Sequence, residues 1–341
     1  MPRPDMTPLL QRWILLCAAL VVGMVLIGGL TRLTESGLSI VEWKLFSGIF
    51  PPMSEQGWAK EFARYQTSPE FKQVNRGFSV ADFQRIFWLE YIHRVLGRVI
   101  GLALVLPFFY FLARRAMPGW LAWRMAFACV LVAAQGTVGW IMVASGLKHE
   151  PRVDAVKLAL HLSLALALYG LLLWTRWQLR AKPRPTASAF PTGWRILALL
   201  ACVQIVFGAL VAGLDAGLSY NSFPLMDGHL LPSGLHRLQP WWLNHVENVL
   251  TVQFQHRALA YGVALLALGL SAAAWRRATL KQKRAIRWLV AIVLVQFGLG
   301  VATLLTGVNL ALASAHQLGA VALLSILLRF IWLFPYRKSA F

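Results

Sequence analysis

Eight long apolar runs, set apart by loops of very unequal length, dominate the pattern of this chain. They fall at about 13–31, 86–112, 124–146, 155–175, 195–214, 248–275, 288–306 and 310–334. A helix needs roughly 20 apolar residues to cross a hydrocarbon core, and the runs meet that length. The first has no charge between Arg12 and Arg32 and no small-residue cleavage site, which predicts a retained helix and not a signal peptide. No Arg- and Ser-rich extension precedes it, a pattern that favours a bacterial over an imported organellar protein. The expected fold class is all-α: a polytopic membrane protein with eight transmembrane helices. Composition agrees, since 58% of the 341 residues are hydrophobic, 13% are charged and the mean hydropathy is +0.60.

The runs repeat. Residues 131–147 (LVAAQGTVGWIMVASGL) align without gaps on 292–308 (IVLVQFGLGVATLLTGV), matching Gln135 to Gln296, Gly139 to Gly300 and Gly146 to Gly307. The segment SGLSI at 36–40 corresponds to AGLSY at 216–220, His93-Arg94 to His256-Arg257, and His161 to His316. Similarity along a whole register marks a duplication. Each copy holds four spans, an even number, so both run the same way through the membrane and are expected to be related by an axis along its normal. The expected architecture is two tandem pseudo-symmetric four-helix bundles with parallel, same-orientation repeats, each able to house a cofactor. Residues 1–180 would form the N-terminal bundle with the substrate site and 195–341 the C-terminal bundle. The linker is expected at 181–194, with Pro183, Pro185 and Pro191. Gly and Ala in the third and seventh spans permit close helix approach.

The net charge of 33 − 13 = +20 points towards nucleic acid only until its placement is read. Loops 113–124, 176–195 and 276–287 and the tail Tyr336-Arg337-Lys338 are basic and contain no Asp or Glu; twelve of the 13 acids lie in the alternate loops or the span ends beside them, Asp5 excepted. Lysine and arginine retained on the cytoplasmic side set topology. Both termini are therefore expected in the cytoplasm, with the 32–85 and 215–247 loops outside a bacterial inner membrane. Contact with anionic membrane lipid is the ordinary role of such basic loops, and no nucleic-acid partner is implied. Cys17, Cys129 and Cys202 fall in apolar spans with no CxxC pair, so neither a disulfide framework nor a thiolate metal site is indicated and each reads as a small core residue.

Candidate chemistry sits in the even-numbered spans. His93, His161, His256 and His316 lie seven or eight residues into the second, fourth, sixth and eighth spans. Spans running in one direction put the four imidazoles at one depth, near the outer face. Imidazole is a good iron ligand and costly to leave unpaired in hydrocarbon. Two bis-imidazole haem sites, His93 with His161 and His256 with His316, account for the pattern. Zinc would want further protein ligands, and a di-iron carboxylate site needs glutamates this chain lacks.

The copies differ at one place. Glu90 stands three residues before His93 where Gln253 stands three before His256, and an i, i+3 pair shares a helix face. A carboxylate can move protons or stabilise positive charge, whereas its amide isostere can only hydrogen-bond. Chemistry is accordingly expected in the N-terminal half and electron transfer in the C-terminal half. Arg94, Arg98 and Arg257 are candidates for haem propionates or for helix-end packing. Gln135 and Gln296 are expected to bond a neighbouring helix or line the pocket, and Gln253 shares that pocket role. His149, His229, His236 and His245 read as outer-loop surface residues, Trp43 and Trp241-Trp242 as interfacial aromatics. Short helices are expected to cover the N-terminal pocket over 45–85. A di-haem cytochrome b that only carries electrons, and a transporter or cofactor chaperone, are the rival readings.

With these residues in view the chain resembles the haem A synthase family. The resemblance rests on GGLTRLTESGLSIVEWK at 28–44, FWLEYIHRVLGR at 87–98, AAQGTVGW at 133–140, the helix around His161, AGLDAGLSYNSFPLMDG at 212–228, QFQHRALAY at 253–261 and SAHQLGA at 314–320. It covers about 13–334. It implies an eight-helix oxidoreductase that converts haem O to haem A for respiratory oxidases, hydroxylating the C8 methyl twice, with the geminal diol losing water to leave a formyl group. By that resemblance His93 and His161 hold the substrate haem O, Glu90 is the acid/base or cation-stabilising residue, and His256 and His316 hold a permanent haem b. The implied partners are the farnesyltransferase that makes haem O and oxidase assembly factors, with a homo-oligomer left open. Some relatives carry a cysteine pair in the outer loops; this chain has none there, so a mechanism built on that pair does not transfer.

Overall fold

The structure is a computed structural model describing residues 6–43, 47–148, 150–180 and 191–333. His149, Pro183, Pro185, the 336–338 tail and most of the expected 181–194 linker lie outside the described residues. Among the described residues ten α-helices follow in order: α1 (Thr7–Leu33), α2 (Glu55–Tyr65), α3 (Pro69–Gln73), α4 (Val80–Ala113), α5 (Gly119–Gly146), α6 (Ala155–Arg180), α7 (Pro191–Gly213), α8 (Val249–Trp275), α9 (Leu280–Leu305) and α10 (Leu310–Leu333). All but α2 and α3 are long and apolar enough to cross a membrane, one for each expected run. No strand occurs among the described residues, only an isolated bridge between Met226 and His229.

Local chemistry sets the ends. α4 begins at Val80, earlier than its apolar run, because Ser79 and Asp82 form a capping box: Asp82 N donates to Ser79 Oγ at 3.3 Å and Ser79 N to Asp82 Oδ2 at 3.1 Å. Thr279 and Gln282 do the same for α9. α7 opens on Pro191, a residue suited to a first helical turn, so 191–194 is helix and not linker. Pro107 lies inside α4 and has no N–H for the Ala103 carbonyl. That carbonyl, in a medium without water, accepts from Trp13 Nε1 of α1 at 2.7 Å. Cys17 also leans on it, Sγ at 3.6 Å. Of the three cysteines only Cys17 is a core residue; Cys129 is half-buried and Cys202 is exposed on α7, which corrects the reading of all three as core.

The chain divides into two compact units, Met1–Leu172 and Leu173–Phe341, the division falling inside α6. In the first, α1 packs on α4 and α4 on α5. In the second, α7 packs on α8, α8 on α9, α9 on α10 and α10 on α7, closing a ring of four. Its interior is aliphatic, with Trp194 against Phe330 at 4.5 Å between ring centroids. The duplication reaches the turns: Glu35 and Asp215, matched in the SGLSI/AGLSY register, both sit in the left-handed region at φ 52° and 53°.

The units differ above their first helix pair. In the first, α2 and α3 are the short helices expected over 45–85. They lay Trp58, Phe62, Tyr65 and Phe71 against Phe83 and Phe87 of the α4 extension. Tyr65 stacks on Phe83 at 5.1 Å and both are fully buried. Under this cap Glu70 is 4% exposed, accepting from Tyr65 Oη at 2.9 Å, and Asn75 Nδ2 donates to the same phenol oxygen at 2.7 Å. In the second unit the corresponding loop folds around buried Asn244, which bonds Leu238 through both main-chain groups and donates to the Trp241 carbonyl.

Burial pushes the Glu70 carboxyl from 4.5 up to about 7. A carboxyl that binds its proton more tightly folded than unfolded lends stability that is complete below its unfolded value and is lost as pH rises through the folded one. The cap is therefore expected to loosen between about pH 5 and 8. Hydrogen exchange over 55–75, corrected for the intrinsic pH dependence, should show this opening, and Glu70→Gln should flatten it. An unchanged profile in that variant would remove Glu70 as the cause.

Candidate functional site

Each of the four histidines meets a glycine of a facing helix. A Cβ built on Gly28 of α1 would stand 3.2 Å from His93 Cε1, and one on Gly208 of α7 3.1 Å from His256 Cε1. On Gly139 of α5 it would meet His161 Cε1 at 2.9 Å, and on Gly300 of α9 His316 Cε1 at 2.9 Å. Any other residue would force the ring to move. His93 lies within electrostatic reach of His161, and His256 of His316. Each unit thus contains one pair.

Three glutamines accompany these glycines, each four residues earlier: Gln135, Gln204 and Gln296. Their main-chain carbonyls stand close to His161, His256 and His316 without reaching hydrogen-bond geometry, and the Nδ1 atoms of those three rings are buried with no hydrogen-bond partner. Gln296 Nε2 donates to the His316 carbonyl at 2.9 Å, tying α9 to α10. Gln204 Nε2 is 3.3 Å from His256 Nε2. The Oε1 atoms of Gln135, Gln204 and Gln296 are buried and unpartnered. The position matched to Gln204 in the first unit is Met24.

Glu90 does not stand open. Its Oε2 accepts from Ser39 Oγ at 2.6 Å and Ile40 N at 2.8 Å, and its Oε1 from Arg94 Nη2 at 2.6 Å and Nε at 3.0 Å. Four donors saturate a carboxylate that is 3% exposed. Arg94 also donates to the carbonyls of Ile40 at 2.7 Å and Glu42 at 3.1 Å, and lies over Trp43. In the second unit Arg257 clamps the matched carbonyls of Tyr220 and Ser222, the latter at 2.8 Å, while Gln253 Nε2 donates to the Ser219 carbonyl at 2.7 Å. Arg94 and Arg257 therefore hold the loop that follows the first helix of their unit. Arg98 stands one turn further along α4.

Of the outer-loop histidines, His229 bonds the Asp227 carbonyl through Nδ1 at 2.9 Å, and His245 stacks edge-on against Trp241 while its Nδ1 meets Gln255. Among the described residues no three His, Cys, Asp or Glu side chains gather where they could hold a metal ion. A metal at either histidine pair needs its remaining ligands from elsewhere. Sequence reasoning missed Gly28, Gly208, Gln204, Ser39 and Glu70. Gly28 and Gly208 could have been found, because they keep the same offset as Ser39 and Ser219.

Residues 11–328 match the family model COX15-CtaA, described as cytochrome oxidase assembly protein. The chain belongs to this family. Similar curated relatives carry the name Heme A synthase. That of Rhodopseudomonas palustris (strain BisA53) is 47% identical over 322 residues, 93% of this chain and 88% of the relative. That of Nitrosospira multiformis is 43% identical over 91% of this chain and 89% of its own length. That of Wolbachia pipientis is 44% identical over 90% and 92%. With eight spans and this membership, the protein is a multi-pass membrane protein.

The two clamps differ in what their loss exposes. Arg257→Gln gives up hydrogen bonds to carbonyls, about 1–3 kcal/mol. Arg94→Gln also strips the cation from buried Glu90, and breaking such a pair costs about 3–5 kcal/mol. Thermal unfolding is expected to place Arg94→Gln well below Arg257→Gln, and adding Glu90→Gln to Arg94→Gln should recover much of the gap. Equal losses in the two single variants would contradict the ion pair.

Proposed function

We propose that this protein is a haem A synthase, oxidising the C8 methyl of haem O to a formyl group in a bacterial inner membrane, with both termini in the cytoplasm. The observation that carries the reading is the pair of matched histidine sites that differ by one charge: Glu90 beside His93, Gln253 beside His256. The relatives named Heme A synthase support the reaction class.

His93 and His161 would hold the substrate iron, and His256 and His316 the iron of a resident haem b. The fit rests on the glycine slots and on the buried, unpartnered Nδ1 atoms. An Nδ1–H turned towards a carbonyl leaves Nε2 as the ligating atom. When bound, haem b supplies one-electron transfer. Each of the two hydroxylations would join a water oxygen to the methyl carbon and release two protons and two electrons, the electrons passing to an external one-electron acceptor, and water leaves the geminal diol in the last step. Positive charge develops at that carbon as electrons leave. A buried carboxylate fixed one turn from His93 stabilises it electrostatically. The donors of Arg94, Ser39 and Ile40 hold the Glu90 carboxyl in one orientation. Ser39, at 2.6 Å, is the hydroxyl through which Glu90 would exchange a proton. Gln253, at the matched place, offers no such charge.

Glu90→Gln tests the assignment. The fold should tolerate it, because the amide is nearly the size of the carboxylate, its Oε1 can still accept from Ser39 and Ile40, and Arg94 keeps the carbonyls of Ile40 and Glu42. Visible spectra should show both haems retained, while haem A in extracted pigment falls by about tenfold or more, a loss of about 1.4 kcal/mol or more of transition-state stabilisation. Undiminished haem A would reject the role. Gly300→Val and Gly139→Val separate the pairs: the first should lower haem b content, and the second should leave haem b in place and lose haem O binding.

A further inference from the structure

We propose that Arg176, Arg180 and Arg329, at the basic ends of α6 and α10 in the second unit, form a binding site for the phosphate of an anionic phospholipid. Three arginines stand close enough there to act on one another electrostatically. Arg329 lies within electrostatic reach of both Arg176 and Arg180, and Arg176 of Arg180. No Asp or Glu side chain of this unit offsets them. Its Asp and Glu residues are Asp215, Asp227 and Glu247, all in or beside the 214–248 loop, across the length of the helices from Arg176 and Arg329.

The packing makes a site of the cluster. Arg329 Cζ stands 5.2 Å from the ring centroid of Trp177 and 4.5 Å from that of Trp332, and both indoles are buried. Stacking covers the faces of a guanidinium and leaves its planar N–H edge to bind, the geometry that suits a phosphate. Arg176 Nε is buried without a hydrogen-bond partner, a donor that an arriving anion would satisfy. Like charges held together at a bilayer surface repel unless an anion joins them. The anion at hand there is a lipid headgroup, and basic pockets between membrane helices select such headgroups. Tryptophan at the same level matches the depth at which a headgroup meets the acyl chains.

The test uses the full-length protein, delipidated in neutral detergent and titrated with phosphatidylglycerol, phosphatidylcholine or inorganic phosphate. Native mass spectrometry counts bound lipid, and thermal melting reads the stabilisation. Phosphatidylglycerol should bind the wild-type chain and raise its melting temperature, with phosphatidylcholine and inorganic phosphate far weaker. The double variant Arg176→Gln, Arg329→Gln should lose about tenfold or more in phosphatidylglycerol affinity. Arg276→Gln, Arg277→Gln removes the same charge from another basic loop and should lose little. Equal losses in the two double variants would reduce the effect to net charge and overturn the site. Equal protection by inorganic phosphate would overturn the lipid assignment. Should the first variant fail to fold, Arg329→Lys keeps the charge without the stacked fork and should fall between wild type and full loss; wild-type affinity there would count against the proposed geometry.

Discussion

Seating an imidazole between two closely packed helices requires the facing helix to give up a side chain, and this steric constraint recurs four times. His93, His161, His256 and His316 each occupy the space that a Cβ on Gly28, Gly139, Gly208 or Gly300 would fill. Close approach of helices at small residues is common in membranes, but here the glycine serves the ring opposite it. The carbonyl four residues before the glycine comes close to the ring at His161, His256 and His316. The glycine thus sets how closely the two helices can pack around the ring. The lipid-facing sides of the same helices carry no such demand, and bulky residues such as Leu106, Phe109 and Leu265 stand exposed there.

A second constraint acts where the loops return to the helices. Both units use an arginine just after the first histidine to hold the chain that leaves the first helix, and they choose the same carbonyls. The residue three before the histidine then sets the direction of its own bond. Gln253 donates to the Ser219 carbonyl, whereas Glu90 can only accept, and the matched loop presents it with the Ser39 hydroxyl and the Ile40 N–H. The loop has turned its donors inward to meet an anion. The charge is therefore built into the first unit together with its surroundings, and a Glu placed at 253 would face a carbonyl instead.

The apolar runs made the eight spans legible, because hydrocarbon requires a length of apolar helix whatever the tertiary fold. Register between the copies made the histidine pairs legible as well. Arg94 was readable as a neighbour of Glu90 from their i, i+4 spacing, yet its hold on the 40–42 carbonyls was not, because a loop path leaves no periodic mark. Gln204 escaped for a different reason: its matched residue is Met24, so comparison of the copies cancelled it. Glu70 escaped because a carboxylate in a charged loop reads as solvated, and only the packing of Tyr65, Phe71 and Phe83 removes water from it.

The two copies remain most alike where the membrane leaves least freedom. Inside the helix pairs the glycine and histidine positions persist in both, as do the matched Gln135 and Gln296, while Gln204 is matched by Met24. Loops outside the helix pairs diverge. One is capped by aromatic helices over a buried carboxyl, the other by a loop knotted around Asn244. A difference between matched sites is easiest to install at this boundary, close to the imidazoles and free enough to vary. Glu90 lies on that boundary, anchored from the loop side and one helical turn from His93, which is why a single charge there can separate two otherwise matched sites.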